Sequence, residues 1–348
     1  MTAVVQARPR IHAGRVLDDG SGVVHLSAGS RSAVVAYRRS GDRAGPQVVV
    51  LGGVSAHRTV WDHDDSGRRG WWSDQVGPGR AVDTTRFGVI SLDWVGGPDA
   101  SAWTDGDPGR DRGVPSPGTA RIQARALEAV LDHLGIRRVE AVVGASFGGM
   151  VALDFAAVAP DRLARLVVLC AAHEPDPATS AVRSIQRRIV RLGLERGDEA
   201  GALAIARALA VVGYRSPEEF ASRFPGAATS GPGGVRVRAD DYLDHVGPKI
   251  LDRFDAAAYL SLSEALDLHA VAPDSIGTPA FLWCCLSDRT VPPRQMEELA
   301  GRLGGPSRLV RAPSLFGHDA FLKETGAVDA FLRSALRDRL PRWKEVRS

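Results

Sequence analysis

Three side chains that together could move an acyl group occur in the order Ser146, Asp288, His318, each where an apolar run gives way to a loop. A serine hydroxyl is a poor nucleophile at neutral pH, so His318 would take its proton while Asp288 fixes the imidazole tautomer and stabilises the imidazolium. Ser146 sits in Gly144-Ala145-Ser146-Phe147-Gly148, after the β-type run Ala141-Val142-Val143 and before a helix-periodic segment with Met150, Val151, Leu153 and Phe155. That strand-turn-helix setting suits a nucleophile held at the tip of a sharp turn, where flanking glycines leave room that side chains would fill. The Phe147 N–H, at the head of the following helix, is placed to stabilise a developing oxyanion. A second donor is expected from Gly52-Gly53, directly after the buried strand Gln47–Leu51. Taken singly, each feature has an ordinary reading: a glycine-rich turn at 144–148 or 52–53, a turn-capping aspartate, a core or surface histidine. Asp274 is the rival acid, and it precedes its strand where Asp288 follows one.

The elements that must position these groups read as strand-helix-strand. Phe87–Trp94 contains an apolar strand, Thr119–Leu134 has helical spacing stopped by Gly135, and Leu166–Cys170 is another buried strand. This alternation predicts a mostly parallel sheet covered on both faces. Residues 1–47 suggest antiparallel strands on one side of it. From 173 to about 272 the rhythm breaks into arginine-rich helical patterns over Ser184–Leu194, Gly201–Val212, Pro217–Phe224, Asp240–Leu251 and Ala256–Leu268, without a convincing strand. The sheet resumes at Ala280–Leu286, followed by a helix over Gln295–Leu303 and a short strand at Arg308–Val310. Two units follow: a core of residues 1–172 and 273–348, and a helical lid of residues 173–272 that would exclude water from the site. The order Ser, acid, His with these contexts is the α/β-hydrolase arrangement. The tryptophans Trp61, Trp71 and Trp72 could line its mouth, or simply cover core edges.

With 44% apolar and 24% charged residues in 348, the composition is that of a globular protein. The 44 basic and 41 acidic residues nearly balance at +3, which gives no reason to expect nucleic acid or an anionic membrane as partner. No apolar run reaches the length of a membrane span and MTAVVQARPRIHAG lacks a signal-peptide core, so a cytoplasmic location is expected. The three cysteines have neither disulfide nor metal-ligand spacing and read as buried apolar residues; no metal is expected.

Fold alone does not choose between hydrolysis and transfer. The chain resembles the homoserine O-acyltransferase family over nearly its whole length. The likeness lies in Gly144–Met150, in Tyr214-Arg215-Ser216-Pro217-Glu218-Glu219-Phe220, in Arg253-Phe254-Asp255 through Tyr259-Leu260, in Ser287-Asp288-Arg289 and in Gly317–Leu322. Gly52–Arg58 and Gln186–Gly193 are more similar to the succinyl-CoA-using branch than to the acetyl-CoA one. The acetyl branch usually carries a Leu-Thr/Ser-Gly turn at the first site and Gly-Gly-Ser-Met-Gly-Gly at the elbow; this sequence departs from both patterns. The resemblance implies a ping-pong transfer from acyl-CoA through Ser146 to the homoserine hydroxyl, with acyl-CoA as co-substrate, no resident cofactor, and a homodimer. It also implies Asp319 for the acceptor's ammonium, Arg207 for its carboxylate, and Arg183, with Arg58 as fallback, for a succinyl carboxylate. For Asp319 a helix cap, and for Arg183 a solvated helix face, are the plain alternatives. An acetyl donor, serine as acceptor, a serine esterase or thioesterase, and a catalytically silent binding protein are the competing expectations.

Overall fold

A computed structural model describes residues 20–28, 31–62, 69–104, 117–338 and 340. The segments 1–14, 63–68 and 105–116, on which parts of the sequence reading fall, lie outside the described residues. Two long strands, β1 (Ser21–Ala28) and β2 (Arg31–Gly41), pair antiparallel at one side of the sheet. Then come β3 (Gln47–Leu51), the two-residue strands β4 (Val76–Gly77) and β5 (Val82–Asp83), β6 (Gly88–Leu92) and β7 (Ala102–Trp103). Helix α1 (Ala120–His133) leads to β8 (Ala141–Ala145), α2 (Phe147–Val158) and β9 (Leu166–Leu169). After a helical insert the sheet closes with β12 (Ala280–Cys285) and β13 (Ser307–Ala312), which flank α8 (Pro293–Arg302), and the chain ends in α9 (Ala320–Lys323) and α10 (Thr325–Arg337). The nine strands run β1-β2-β6-β3-β8-β9-β12-β13 with β7 on β2, parallel from β6 to β13 and antiparallel around β2. This is the α/β-hydrolase fold expected above.

The parallel strands are apolar because both faces are covered. In β3, Val49 and Leu51 join the layer formed with α1, α2 and α8, while Val48 and Val50 join the opposite layer with α10. That alternation is the period-two geometry of a strand. Helix α2 is apolar on every face except at Asp154, which pairs with Arg121 and His269; with Phe147 through Ala156 buried, it runs through the core instead of over its surface.

The insert comprises α3 (Pro177–Arg196), α4 (Glu199–Tyr214), α5 (Pro217–Arg223), the hairpin β10 (Thr229–Gly231) and β11 (Gly234–Arg236), α6 (Asp240–Val246) and α7 (Ala256–Asp267). It holds a small apolar centre of its own: Val190, Leu203, Ala206, Ala256 and Leu260. Two features differ from the sequence reading. The hairpin was not expected, since its residues are exposed and carry no apolar alternation; the turn at Pro232-Gly233 makes it. The expected helix Asp240–Leu251 is instead α6 followed by a 3-10 turn at Pro248–Asp252, because Pro248 has no N–H for a continuing helix. None of the helices among the described residues is long and apolar enough to cross a membrane.

Candidate active site

Ser146, Asp288 and His318 each follow the carboxyl end of a parallel strand, where loops converge, while Arg183 and Arg207 come from the insert helices α3 and α4. Ser146 follows β8 and takes φ 54°, a strained conformation for a residue with a side chain. Neighbouring glycines make this possible. A Cβ on Gly144 would run into the main chain of Gly148, and one on Gly148 into the main chain of Leu51. Phe147 is the first residue of α2, so its N–H has no acceptor within the helix.

Asp288 lies just past β12 and His318 in a 3-10 turn, Gly317–Asp319, beyond β13. The structure brings the three side chains together in a line. Ser146 Oγ is 2.8 Å from His318 Nε2, and His318 Nδ1 is 2.7 Å from Asp288 Oδ2. Asp288 is itself fixed, its Oδ1 accepting the main-chain N–H groups of Thr290 at 2.8 Å and Val291 at 3.0 Å. A buried imidazole resists charging, but the charge of Asp288 and its hydrogen bond, with Asp319 adding, outweigh burial and raise the His318 pKa above its ordinary value; Arg183 acts in the opposite sense. Asp274 is set apart from this array, its side chain 73% exposed and its nearest cation Arg302 at 3.8 Å. Of the cysteines, all three buried and free, Cys170 lies against the array: its sulfur and the ligand atoms of Asp288 and His318 all fall within 4.8 Å of one another. Burial pushes its thiol pKa well up, which suits a packing role and not that of a nucleophile.

Ser146 and His318 open onto a pocket of about 410 Å³ lined also by Gly53, Val54, Met150, Arg183, Arg207, Tyr214 and Asp319. A second chamber of about 260 Å³ shares the walls Arg183, Gln186, Arg207, Tyr214 and Asp319 and extends to Tyr242, Lys249 and Arg253. Arg207 lies over the Tyr214 ring at 5.6 Å, and that ring is 5.9 Å from the His318 ring, so α4 delivers a cation near the nucleophile. Asp319 faces the same space and pairs with Arg215 at 3.2 Å. Trp71 lines the pocket; Trp72, stacked on it, is buried and donates to the Phe321 carbonyl, while the Trp61 indole donates to Ser40.

Two expected site residues are placed elsewhere. Gly52 is not on the wall of either chamber; its carbonyl accepts the Gly148 N–H at 2.8 Å, and a Cβ there would meet Ala56 and Trp71. The glycine that faces the nucleophile is Gly53, whose Cβ would lie 3.9 Å from Ser146 Oγ, and Val54 beside it lines the same wall. Arg58 is also removed from the pocket, because its guanidinium and main-chain N–H both bind Asp93, a carboxylate with a fully buried side chain. That carboxylate needs the charge more than an acyl group could, and sequence spacing gives no sign of a partner so far along the chain. Val54, Tyr214 and Gln186 are pocket residues that the sequence reading did not single out; Tyr214 opens one of the family-like runs and Gln186 another.

The α/β-hydrolase fold family matches residues 48–196. The homoserine O-succinyltransferase of Xanthomonas campestris pv. campestris is 39% identical over 89% of this chain and 80% of its own length. A homoserine O-acetyltransferase of Thermus thermophilus is 35% identical over 78% of this chain and 73% of its own. Among solved structures, the homoserine O-acetyltransferase from Bacillus anthracis superposes with a TM-score of 0.79 at 18% identity over 96% of this chain and 98% of its own. Esterase E22 superposes with 0.77 at 20% identity over 94% and 99%. The structural likenesses establish the fold, and the sequence relatives, aligned across most of both chains, establish more: this protein belongs to the homoserine O-acyltransferase family of the α/β-hydrolase fold.

Proposed function

We propose that the protein is an acyl-CoA-dependent O-acyltransferase that moves a succinyl group from succinyl-CoA to the hydroxyl of L-homoserine, a step of methionine biosynthesis. The observation that carries this reading is the charge pattern in front of Ser146: the pocket wall carries Arg183, Arg207 and Arg289 with Glu174 and Asp319, and of these Arg183, Arg207 and Asp319 also face the adjoining chamber. A plain esterase has no use for that set. An amino-acid acceptor needs a carboxylate for its ammonium and a cation for its carboxylate, and a dicarboxylic acyl group needs one cation more. The relative named a homoserine O-succinyltransferase supports the donor, and those named O-acetyltransferases support the acceptor.

In the first half-reaction His318 Nε2 takes the Ser146 proton as Oγ attacks the thioester carbonyl. The oxyanion is met by main-chain N–H groups of Phe147 and of the Gly53 turn, and the C–S bond breaks with the proton passing from His318 to the CoA sulfur. In the second half-reaction His318 takes the proton of the homoserine hydroxyl, whose oxygen attacks the acyl-serine. The ester product leaves as Ser146 recovers its proton. Asp319 and Arg207 hold the acceptor by its two charged ends, which lets a bound hydroxyl outcompete water. Acyl-CoA is a co-substrate and the cycle uses no resident cofactor. We place the enzyme in the cytoplasm as a homodimer; the exposed apolar residues Ile185, Leu192 and Ile205 on α3 and α4 support the association of two copies.

The test is mass spectrometry of products from every pairing of succinyl-CoA or acetyl-CoA with homoserine or serine. O-succinylhomoserine as the main product is expected. Rapid acyl-CoA hydrolysis that homoserine does not stimulate would establish an esterase or thioesterase instead, and a Ser146 never found acylated would establish a silent binding protein.

A further inference from the structure

Helices α3 and α7 are joined by an ionic cluster beside the pocket. Asp267, the last residue of α7, accepts from Arg183 Nε at 2.8 Å and Nη2 at 2.5 Å and from Ser180 Oγ at 2.7 Å, all on Oδ1. Its Oδ2 accepts from Arg187 Nη1 at 2.5 Å, and that nitrogen also donates to the carbonyl and hydroxyl of Ser263, both at 3.1 Å. Ser180 Oγ in turn accepts from Arg183 Nη2 at 3.1 Å. The two arginines differ in what they face. Arg183 is buried and lines both chambers, whereas Arg187 is on the wall of neither and spends its donors on α7.

The charge count follows from this arrangement. Arg183 with Asp267 alone would be a neutral pair, and a pocket bordered by a neutral pair has little attraction for an anion. Arg187 adds the second cation, so the cluster carries one net positive charge. Its geometry decides where that charge is offered. Asp267 holds Arg183 by its Nε and Nη2 edge, and these bonds leave Nη1 out; a guanidinium gripped on one edge is a planar fork with a fixed direction.

We propose that Asp267 is the positioning residue for acyl-donor choice: it aims Arg183 at the distal carboxylate of a dicarboxylic acyl thioester, and Arg187 keeps the aimed group positive. This rests on the proposed donor role of Arg183. The inference goes against simple charge counting, by which a carboxylate next to the anion subsite would only weaken binding.

The experiment uses the purified full chain with homoserine fixed, and reads the ratio of kcat/KM for succinyl-CoA to that for acetyl-CoA in wild type, Asp267→Asn, Asp267→Glu, Arg187→Gln and Arg183→Gln. Asp267→Asn is expected to lower the ratio about tenfold, through KM for succinyl-CoA, since one charge-assisted contact loses its direction. Asp267→Glu is expected to recover part of it, and Arg187→Gln to lower it as the net charge falls to zero. A ratio unchanged or raised in Asp267→Asn while Arg183→Gln lowers it overturns the inference alone. Equal losses with both donors in Asp267→Asn also overturn it, because a merely structural cluster would act so. A ratio unchanged in Arg183→Gln overturns the donor role of Arg183 and the inference with it. If Asp267→Asn does not fold, Ser180→Ala removes one anchor of the same cluster and is expected to shift the ratio severalfold in the same direction; no shift overturns the inference.

Discussion

Replacing Asp288 by asparagine tests the catalytic line with almost no change in shape. In the native protein Asp288 Oδ1 accepts two main-chain N–H groups, and Oδ2 accepts the His318 Nδ1–H. An asparagine has to put its oxygen where those two N–H groups point, since its NH2 would oppose them donor to donor. The NH2 then stands at the place of Oδ2, within hydrogen-bond reach of Nδ1, and donates to it. His318 is thereby driven into the tautomer with its proton on Nε2, aimed at Ser146 Oγ 2.8 Å away. A nitrogen that already carries a proton cannot accept the one it must remove. The same substitution in another serine enzyme costs about ten-thousand-fold in kcat, or about 5.4 kcal/mol of barrier. Stability falls little, by about 1 kcal/mol, because both main-chain bonds survive. The assay is rapid-mixing release of the CoA thiol from succinyl-CoA without acceptor, beside a thermal melt. A folded Asp288→Asn protein whose acylation slows by less than tenfold would refute the tautomer argument and the role given to Asp288.

Other expectations are quicker to check. His318 must be neutral to act as base and its pKa is raised, so acylation should fall as pH drops through a midpoint above the ordinary histidine value of 6.5. Asp319→Asn removes one cause of that rise and should move the midpoint to lower pH in a kcat/KM profile for the acyl donor; a midpoint that moves up contradicts the assignment. Arg58→Met should leave the donor ratio untouched. It should cost about 2–4 kcal/mol, because Asp93 is left buried without its cation, the upper range being reduced for the 29% exposure of Arg58. A loss of succinyl selectivity in that variant would restore Arg58 to the site. Gly148→Ala should destabilise by about 1–3 kcal/mol and slow acylation, since the new methyl meets main chain that cannot yield; an unaffected enzyme would show the turn to be looser than described.

What could be read from the sequence was whatever depends on neighbours along the chain. The buried strands β3, β8, β9 and β12 are short apolar runs, and the elbow is a local pattern of glycines around one serine, so both fold and nucleophile were legible. Asp288 and His318 were found because a strand end is a local feature too. Direction was not legible. Nothing in Leu51-Gly52-Gly53 says which glycine turns toward Ser146, because that depends on Gly148 approaching from the first turn of α2. Likewise Arg58 and Arg183 look alike as cations. The first is bound by Asp93 and the second by Asp267, partners set by tertiary packing. The hairpin at Thr229–Arg236 was missed for the opposite reason, being exposed and leaving no apolar trace.

Strand β12 lies directly beside β9, register for register, although the whole helical insert separates them along the chain. To the sheet it is as if nothing had been spliced between the two. A different set of helices could therefore be grafted at the same junction without disturbing a single rung of the ladder. The serine and its base would be inherited unchanged, while the choice of cargo travelled with the graft.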